Sequence, residues 1–459
     1  MFYLMLIIFV LGYAAIALEH PLKIDKSASA LLIGVLTWVV FIMSGSDIVA
    51  YVESILGHVH GGWESYIHHN PNGSITDWIG HHEILHHLGE ISEILFFLLG
   101  AMTIVEIVDQ HEGFKVITDK ITTTKKVKLL WILSILTFFM SAALDNLTTT
   151  IVMVALLRKL VEKKEDRWFF ASMIILAANA GGAWSPIGDV TTIMLWVKGQ
   201  VTTIPIIRDV FLPSVAAMVV PLIVLSFILK GNIKRPDLSD SEVEDQNFVS
   251  KRESILVLII GVGSLLFVPV FKNITHLPPY LGMLLGLGNL WVITEIIQKR
   301  RHKETNTKLT VVGILTRVDV PTVLFFLGIL LAVASLQSAG HLTILANFLD
   351  EATGRNIYII NLAIGLLSSI VDNVPLVAGA MGMYSIEATG FMSIDGQFWQ
   401  FLAYCAGTGG SILIIGSAAG VAAMGMEKID FIWYMKKISL LAMLGYFAGA
   451  GVYYLMFAL

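Results

Sequence analysis

Apolar runs of near-spanning length recur from one end of the chain to the other. They fall at about 1–18, 27–46, 91–109, 128–144, 147–160, 168–183, 187–197 and 207–229. A polar stretch follows, KGNIKRPDLSDSEVEDQNFVSKRE (230–253), and then runs at about 254–271, 279–297, 320–338, 357–371, 374–386, 398–413, 415–426 and 432–457. A helix of roughly 20 apolar residues crosses a bilayer core, so the pattern predicts an all-α polytopic membrane protein. The polar stretch has the make-up of a solvated connector. The first run, MFYLMLIIFVLGYAAIAL, lacks the basic start that a signal peptide needs and is read as the first span.

The two sets of runs resemble each other. Gly100 and Gly328 are 228 residues apart, Asp145-Asn146 and Asp372-Asn373 are 227 apart, and Gly181-Gly182 and Gly409-Gly410 are 228 apart, as are Gly188 and Gly416. Blocks in one order at one offset indicate an internal repeat. The expected domains are a first repeat over 1–229, a cytoplasmic linker over 230–253 and a second repeat over 254–459. In the first, scaffold helices cover about 1–109, and a hairpin and broken helix about 128–197. In the second, the hairpin covers about 357–386 and the broken helix about 398–426.

Charge then orients the repeats. Loop 47–90 holds no Lys or Arg and is placed outside; 110–128 (Lys115, Lys120, Lys125, Lys126, Lys128) and 158–167 (Arg158, Lys159, Lys163, Lys164, Arg167) are placed in the cytoplasm. Only about 30 apolar residues separate these two cytoplasmic segments, where two crossings need about 40. The segment is therefore expected to enter and return, with Asp145-Asn146 at its tip. Backbone broken at that depth is tolerated only against protein or a water-filled cavity. The equivalent hairpin near 357–386 is flanked by Asp350, Glu351, Glu387 and Asp395, with Arg355 the exception, and is expected to enter from outside. The loop at 298–310, with Lys299, Arg300, Arg301, Lys303 and Lys308, is placed in the cytoplasm. The expected architecture is two inverted repeats with about ten crossings, two re-entrant hairpins and two broken helices, a plan common among secondary transporters. An interfacial helix is read at 307–318.

Composition agrees. The chain of 459 residues is 56% hydrophobic and 14% charged, with mean hydropathy +0.77, against about a quarter charged in soluble domains. A lone cysteine, Cys405, excludes an intrachain disulfide and reads as a small hydrophobe.

Candidate chemistry gathers at four helix breaks: SAALDNLTTT (141–150), NAGGAWSPIGDVTT (179–192), SSIVDNVPLV (368–377) and GTGGSILIIGSAAG (407–420). Asp145, Asp189 and Asp372 supply carboxylates; Asn146, Thr148, Thr149, Asn179, Ser185, Asn373, Thr408, Ser411 and Ser417 supply neutral oxygens. A carboxylate within a membrane is costly and marks a functional site by default. Asp also caps helices, and the two roles are compatible. Hard cations such as sodium take oxygen ligands, and buried neighbouring carboxylates hold protons near neutral pH. A site that holds either a proton or sodium exchanges them by competition. An anion would face as many as three carboxylates.

These residues resemble the NhaD-type sodium/proton antiporters of the ion transporter superfamily. The resemblance rests on FFLLGAMTIVEIVDQHEGF (96–114), LDNLTTTIVM (144–153), NAGGAWSPIGDVTTIMLW (179–196), SSIVDNVPLVAGAMGMY (368–384) and GTGGSILIIGSAAGVAAMG (407–425). It covers the chain from about residue 90 onward, apart from the linker. It implies export of cytoplasmic sodium or lithium against external protons across a bacterial inner membrane, with elevator-like alternating access in a homodimer. It implies no enzyme activity, no cofactor and no nucleic-acid partner, only the ions and membrane lipid. Carried over by position, Asp145, Asn146, Asp189, Asp372, Asn373, Thr408 and Ser417 form the ion site. The halves differ, because Asp189 aligns with Ser417 and Glu106 with Ala334. The alternative of the same architecture is a sodium-coupled anion or carboxylate symporter, against which the Asp-Asn tips argue.

Eight of 13 histidines, His58, His60, His68, His69, His81, His82, His86 and His87, lie in loop 47–90. His82-Glu83-x-x-His86 matches the zinc-protease pattern, which places two imidazoles on one helix face; a membrane zinc protease is the remote alternative. The loop otherwise reads as a solvated external segment or a pH-tuning element. Glu106, His86 and His87 are the candidates for proton relay or pH sensing.

Overall fold

The computed structural model describes residues 1–17, 19–56, 61–118, 121–236, 249–300 and 310–457. His58, His60, Lys120, Arg301, Lys303, Lys308 and residues 237–248 of the connector lie outside that set. Among the described residues the fold is helical, with two isolated bridges and no strand. Eight helices among them are long and apolar enough to span a membrane, which establishes a multi-pass membrane protein.

Helices α1 (Phe2–Ala17), α2 (Lys26–Met43), α3 (Gly45–Leu56), α4 (Gly61–His69) and α5 (Ile84–Gln110) open the chain. They are followed by α6 (Lys126–Leu144), α7 (Asn146–Leu160), α8 (Lys164–Ala183), α9 (Val190–Val197) and α10 (Thr203–Ile228). Beyond the connector come α11 (Lys251–Thr275), α12 (Pro279–Arg300), α13 (Val320–Ser338), α14 (His341–Thr353) and α15 (Ile357–Leu367). The chain ends with α16 (Asn373–Met383), α17 (Gln397–Gly409), α18 (Ala418–Glu427), α19 (Phe431–Lys437) and α20 (Ser439–Phe457).

The segment expected as a loop at 47–90 is largely helical. Besides α3 and α4 it holds a turn at Ile75–Asp77 and a π-helical turn at Trp78–Glu83 that runs into α5. Ser74 and Asp77 form a capping box that starts this stretch. Trp78 is buried against Phe41 and Trp63, at ring distances of 6.0 and 5.8 Å. Aromatic burial supplies what the weak periodicity did not reveal. Of the stretch read at 307–318, the described residues from 310 onward hold a short helix, Val311–Leu315.

The helices form two compact units. The first comprises Met1–Leu95, Asp319–Ile360 and Val374–Ser393. There α2 and α13 touch through backbone: a side chain at Gly34 would meet the Gly328 carbonyl, and one at Gly328 would meet Ala30. Small residues allow such an approach, which is how helices associate where no hydrophobic force drives them together. Trp38 Nε1 donates to the Leu331 carbonyl at 2.9 Å and Ser27 Oγ to that of Pro321 at 2.8 Å.

The second unit comprises Phe96–Val318, Asn361–Asn373 and Ile394–Leu459. Here α10 and α20 cross at two glycines. Gly445 lies on the Ala217 carbonyl and Gly449 on that of Pro213. Pro221 has no N–H to give Ala217, four residues back, so that carbonyl is free to face Gly445. Contacts also recur at the repeat offset. Ser141 Oγ donates to the Ala178 carbonyl at 2.6 Å, and Ser368 Oγ to that of Ala406 at 2.8 Å. Gly181 sits on the Phe138 carbonyl and Gly409 on that of Gly365, while Gly188 abuts the Ser141 carbonyl and Gly416 that of Ser368.

Candidate ion site

Four chain breaks within the second unit position the candidate residues. Between α6 and α7 only Asp145 intervenes, with φ 99° and ψ 162°. That backbone region is nearly reserved for glycine and costs about 1–3 kcal/mol for other residues. Its carboxylate accepts from Thr148 N at 2.7 Å and from Thr148 Oγ1 at 2.8 Å, capping α7. A strained aspartate at a chain reversal, 9% exposed, points to a role for the carboxylate at that place.

Asp189 caps α9 in the same way, accepting at Oδ1 from Thr191 N (2.9 Å) and Thr191 Oγ1 (2.7 Å). Its Oδ2 accepts from Asn146 Nδ2 at 2.6 Å, and the Asn373 amide lies 3.5 Å from both of its oxygens. Asn146 Nδ2 also faces Asn179 Oδ1 at 3.0 Å. Asn179 Nδ2 in turn donates to Ser411 Oγ and Ser417 Oγ, both at 2.9 Å. Ser417 caps α18, as Asp189 caps α9. One network thus joins Asn146, Asn179, Asp189, Asn373, Ser411 and Ser417.

Other expected residues face elsewhere. Ser185 Oγ donates to the Ala142 carbonyl and holds the break after α8 against the end of α6. Thr408 Oγ1 donates to the Tyr404 carbonyl of its own helix at 2.6 Å. Glu106 accepts from Gln110 at 2.9 Å. In the first unit, Ser338 Oγ donates to Glu83 at 2.7 Å, so His87 Nε2, 2.9 Å from that hydroxyl, is its donor. His86 Nε2 stands 3.7 Å from Glu90. Glu83 also accepts from Trp78 Nε1 at 3.0 Å, so both its oxygens are engaged. No group of three His, Cys, Asp or Glu side chains placed to hold a metal ion occurs among the described residues.

Three features escaped the sequence reading. Thr191 belongs with Asp189. The Tyr434 hydroxyl donates to the Ser411 carbonyl at 2.8 Å. Glu427, whose side chain is 1% exposed, accepts from Arg158 Nε at 2.7 Å and Arg167 Nε at 2.8 Å. It ties the ends of α7 and α18 to the start of α8. The basic clusters were legible as topological signals, but their buried partner lies about 260 residues away and leaves no local trace.

The groups gathered here are carboxylate, amide and hydroxyl oxygens, buried and fixed by caps, a donor set of the kind that hard cations take. Comparison with known proteins points the same way. A family model described as citrate transporter matches residues 4–403. An Arabidopsis thaliana protein named sodium/proton antiporter 1 is 49% identical over 449 residues, covering 98% of this chain and 71% of that protein. Sodium/proton antiporter 2 of the same plant is 44% identical, covering 98% of both chains. The Vibrio cholerae protein named Na(+)/H(+) antiporter NhaD is 29% identical over 470 residues, covering 97% of this chain and 89% of that protein.

Proposed function

The chain belongs to the citrate transporter family and to its NhaD-type sodium/proton antiporters, and on that premise we propose that it exchanges cytoplasmic sodium or lithium for external protons. The observation that carries the site assignment is the buried network that brings Asn146, Asn179 and Asn373 around Asp189. In this reading Asp145, Asp189 and Asp372 hold either a proton or the metal ion, while Asn146, Asn179, Asn373, Ser411 and Ser417 and the broken backbone help to build the shell, and Thr148, Ser185 and Thr408 brace it through their bonds to Asp145, Ala142 and Tyr404. A carboxylate substrate would meet this negative field, which disfavours the anion-symport alternative.

Exchange requires that the loaded site cross and the empty one stay. Differential stability of the loaded and empty states can drive that selection. The recurrence of the Ser141 and Ser368 contacts supports inverted repeats, and with them ten crossings and two re-entrant hairpins. Lys and Arg clusters support a cytoplasmic connector at 230–253 and an external 47–90 segment. A homodimer with elevator-like motion follows from the resemblance.

Everted vesicles with a pH-sensitive dye test the proposal. Sodium and lithium should dissipate an imposed acid interior for the wild type and fail to do so for Asp145→Asn and Asp372→Asn. Folded, inserted protein that gives no sodium-dependent dissipation between about pH 6.5 and 9.5, a window reaching both sides of neutrality, overturns it.

A further inference from the structure

The internal repeat pairs Asn179 with Gly407, 228 residues on, just as it pairs Asp189 with Ser417. The structure places these four residues in crossed contact. Asn179, on α8, reaches Ser417 at the start of α18. Gly407, on α17, lies beside Asp189 at the start of α9: a Cβ built there would stand 3.9 Å from Asp189 Oδ2 and 3.2 Å from the Ala183 Cβ. The first half therefore fills the space next to the second half's capping residue with an amide. The other half leaves the matching space, next to a carboxylate, without a side chain.

We propose that Gly407 sets the room available to the cation at Asp189 and so determines the preference between sodium and lithium. The inference rests on the antiport reading of the same site. Asp189 Oδ2 accepts from Asn146 and has the Asn373 amide 3.5 Å away, so the cation approaches on the face where Gly407 presents no side chain. Gly407 is fully buried within a helix, where glycine costs roughly 1 kcal/mol relative to alanine. Its backbone needs no glycine conformation, since no positive φ occurs there. The missing methyl is thus explained by what stands in front of it. A methyl group at 407 would crowd sodium, the larger ion, more than lithium.

The test measures apparent KM for sodium and for lithium in everted vesicles carrying wild type, Gly407→Ala, Ala183→Gly and the double variant Ala183→Gly/Gly407→Ala. Ala183→Gly removes the methyl that a new Cβ at 407 would press against, separating packing from ion fit. The expected result is a sodium KM raised about fivefold or more relative to lithium in Gly407→Ala, persisting in the double variant, with Ala183→Gly keeping the wild-type ratio. Equal losses for both ions, restored together by Ala183→Gly, would assign the glycine to helix packing and overturn the proposal. So would an unchanged ratio, or failure of both 407 variants to insert while Ala183→Gly inserts. A wild type that responds to neither ion refutes the antiport reading itself, before the glycine is in question.

Discussion

At the residue scale, Asp145 combines a local backbone cost with a cap that offsets it. Its positive φ is unfavourable for any residue but glycine, and its side chain recovers part of that cost by capping α7. Asp145→Gly relieves about 1–3 kcal/mol of backbone strain and loses about 0.5–2 kcal/mol of cap. The two nearly cancel, so thermal unfolding in detergent should move by only a few degrees while sodium-driven proton movement disappears. Retention of transport by this variant would remove Asp145 from the site. Asp189→Asn presents a different case. An amide in place of Oδ2 would set a donor against the Asn146 donor, 2.6 Å away, so both binding and local packing suffer. A sodium-dependent change in tryptophan emission should be lost there even in well-folded protein.

At the scale of elements, the site is made of helix ends, and those ends are held by a few long-range bonds. Glu427 is the most consequential of them. Removing one partner of a fully buried ion pair costs about 3–5 kcal/mol, and the loss of Glu427 should cost less, because the two arginines it leaves behind are partly exposed to solvent. Glu427→Ala should lower the unfolding temperature accordingly, and Arg167→Ala should do so more than Arg158→Ala, whose side chain is 47% exposed against 21%. Equal, negligible shifts would show that the ends of α7, α8 and α18 are held by other contacts. His341, at the start of α14, acts in the other unit. Its ring stacks on Phe2 at 3.7 Å and its Nε2 donates to the Phe2 carbonyl at 3.0 Å. Burial pushes it down to about 4. The folded state therefore binds fewer protons than the unfolded state between about pH 6.5 and 4. Stability contributed by the neutral ring is complete above that range and falls as pH drops through it, by up to about 1.4 kcal/mol per unit. His341→Phe should flatten the acid limb of a melting profile; an unaltered limb would contradict this.

For the whole molecule, much was legible because apolar length and charge report on a membrane directly. The run at 320–338 is a helix with those same ends, Val320–Ser338, and the breaks at Asp145 and Asp189 fall where Gly, Pro and Asp interrupt apolar runs. The family was legible too, because the helix breaks carry long specific blocks. The 47–90 segment was not: Gly45–Leu56 does carry a helical face in Ile48, Val49 and Val52, but its freedom from Lys and Arg read as a loop, and the turn at Trp78–Glu83 depends on packing of Trp63 and Trp78. Nor was the Asn179 bridge to Ser411 and Ser417, which spans more than 230 positions.

Asp145, Asp189 and Ser417 each cap a helix, so the amino ends of α7, α9 and α18 all open at the site. Each such end carries about half a positive elementary charge. With the carboxylates ionised, the acids outweigh this background; with them protonated, what remains is positive. At the proposed site, proton loading would reverse the local polarity rather than only occupy a ligand, and would help to expel a metal ion. The same three helix ends without the acids would present net positive charge, a setting that favours negative cargo.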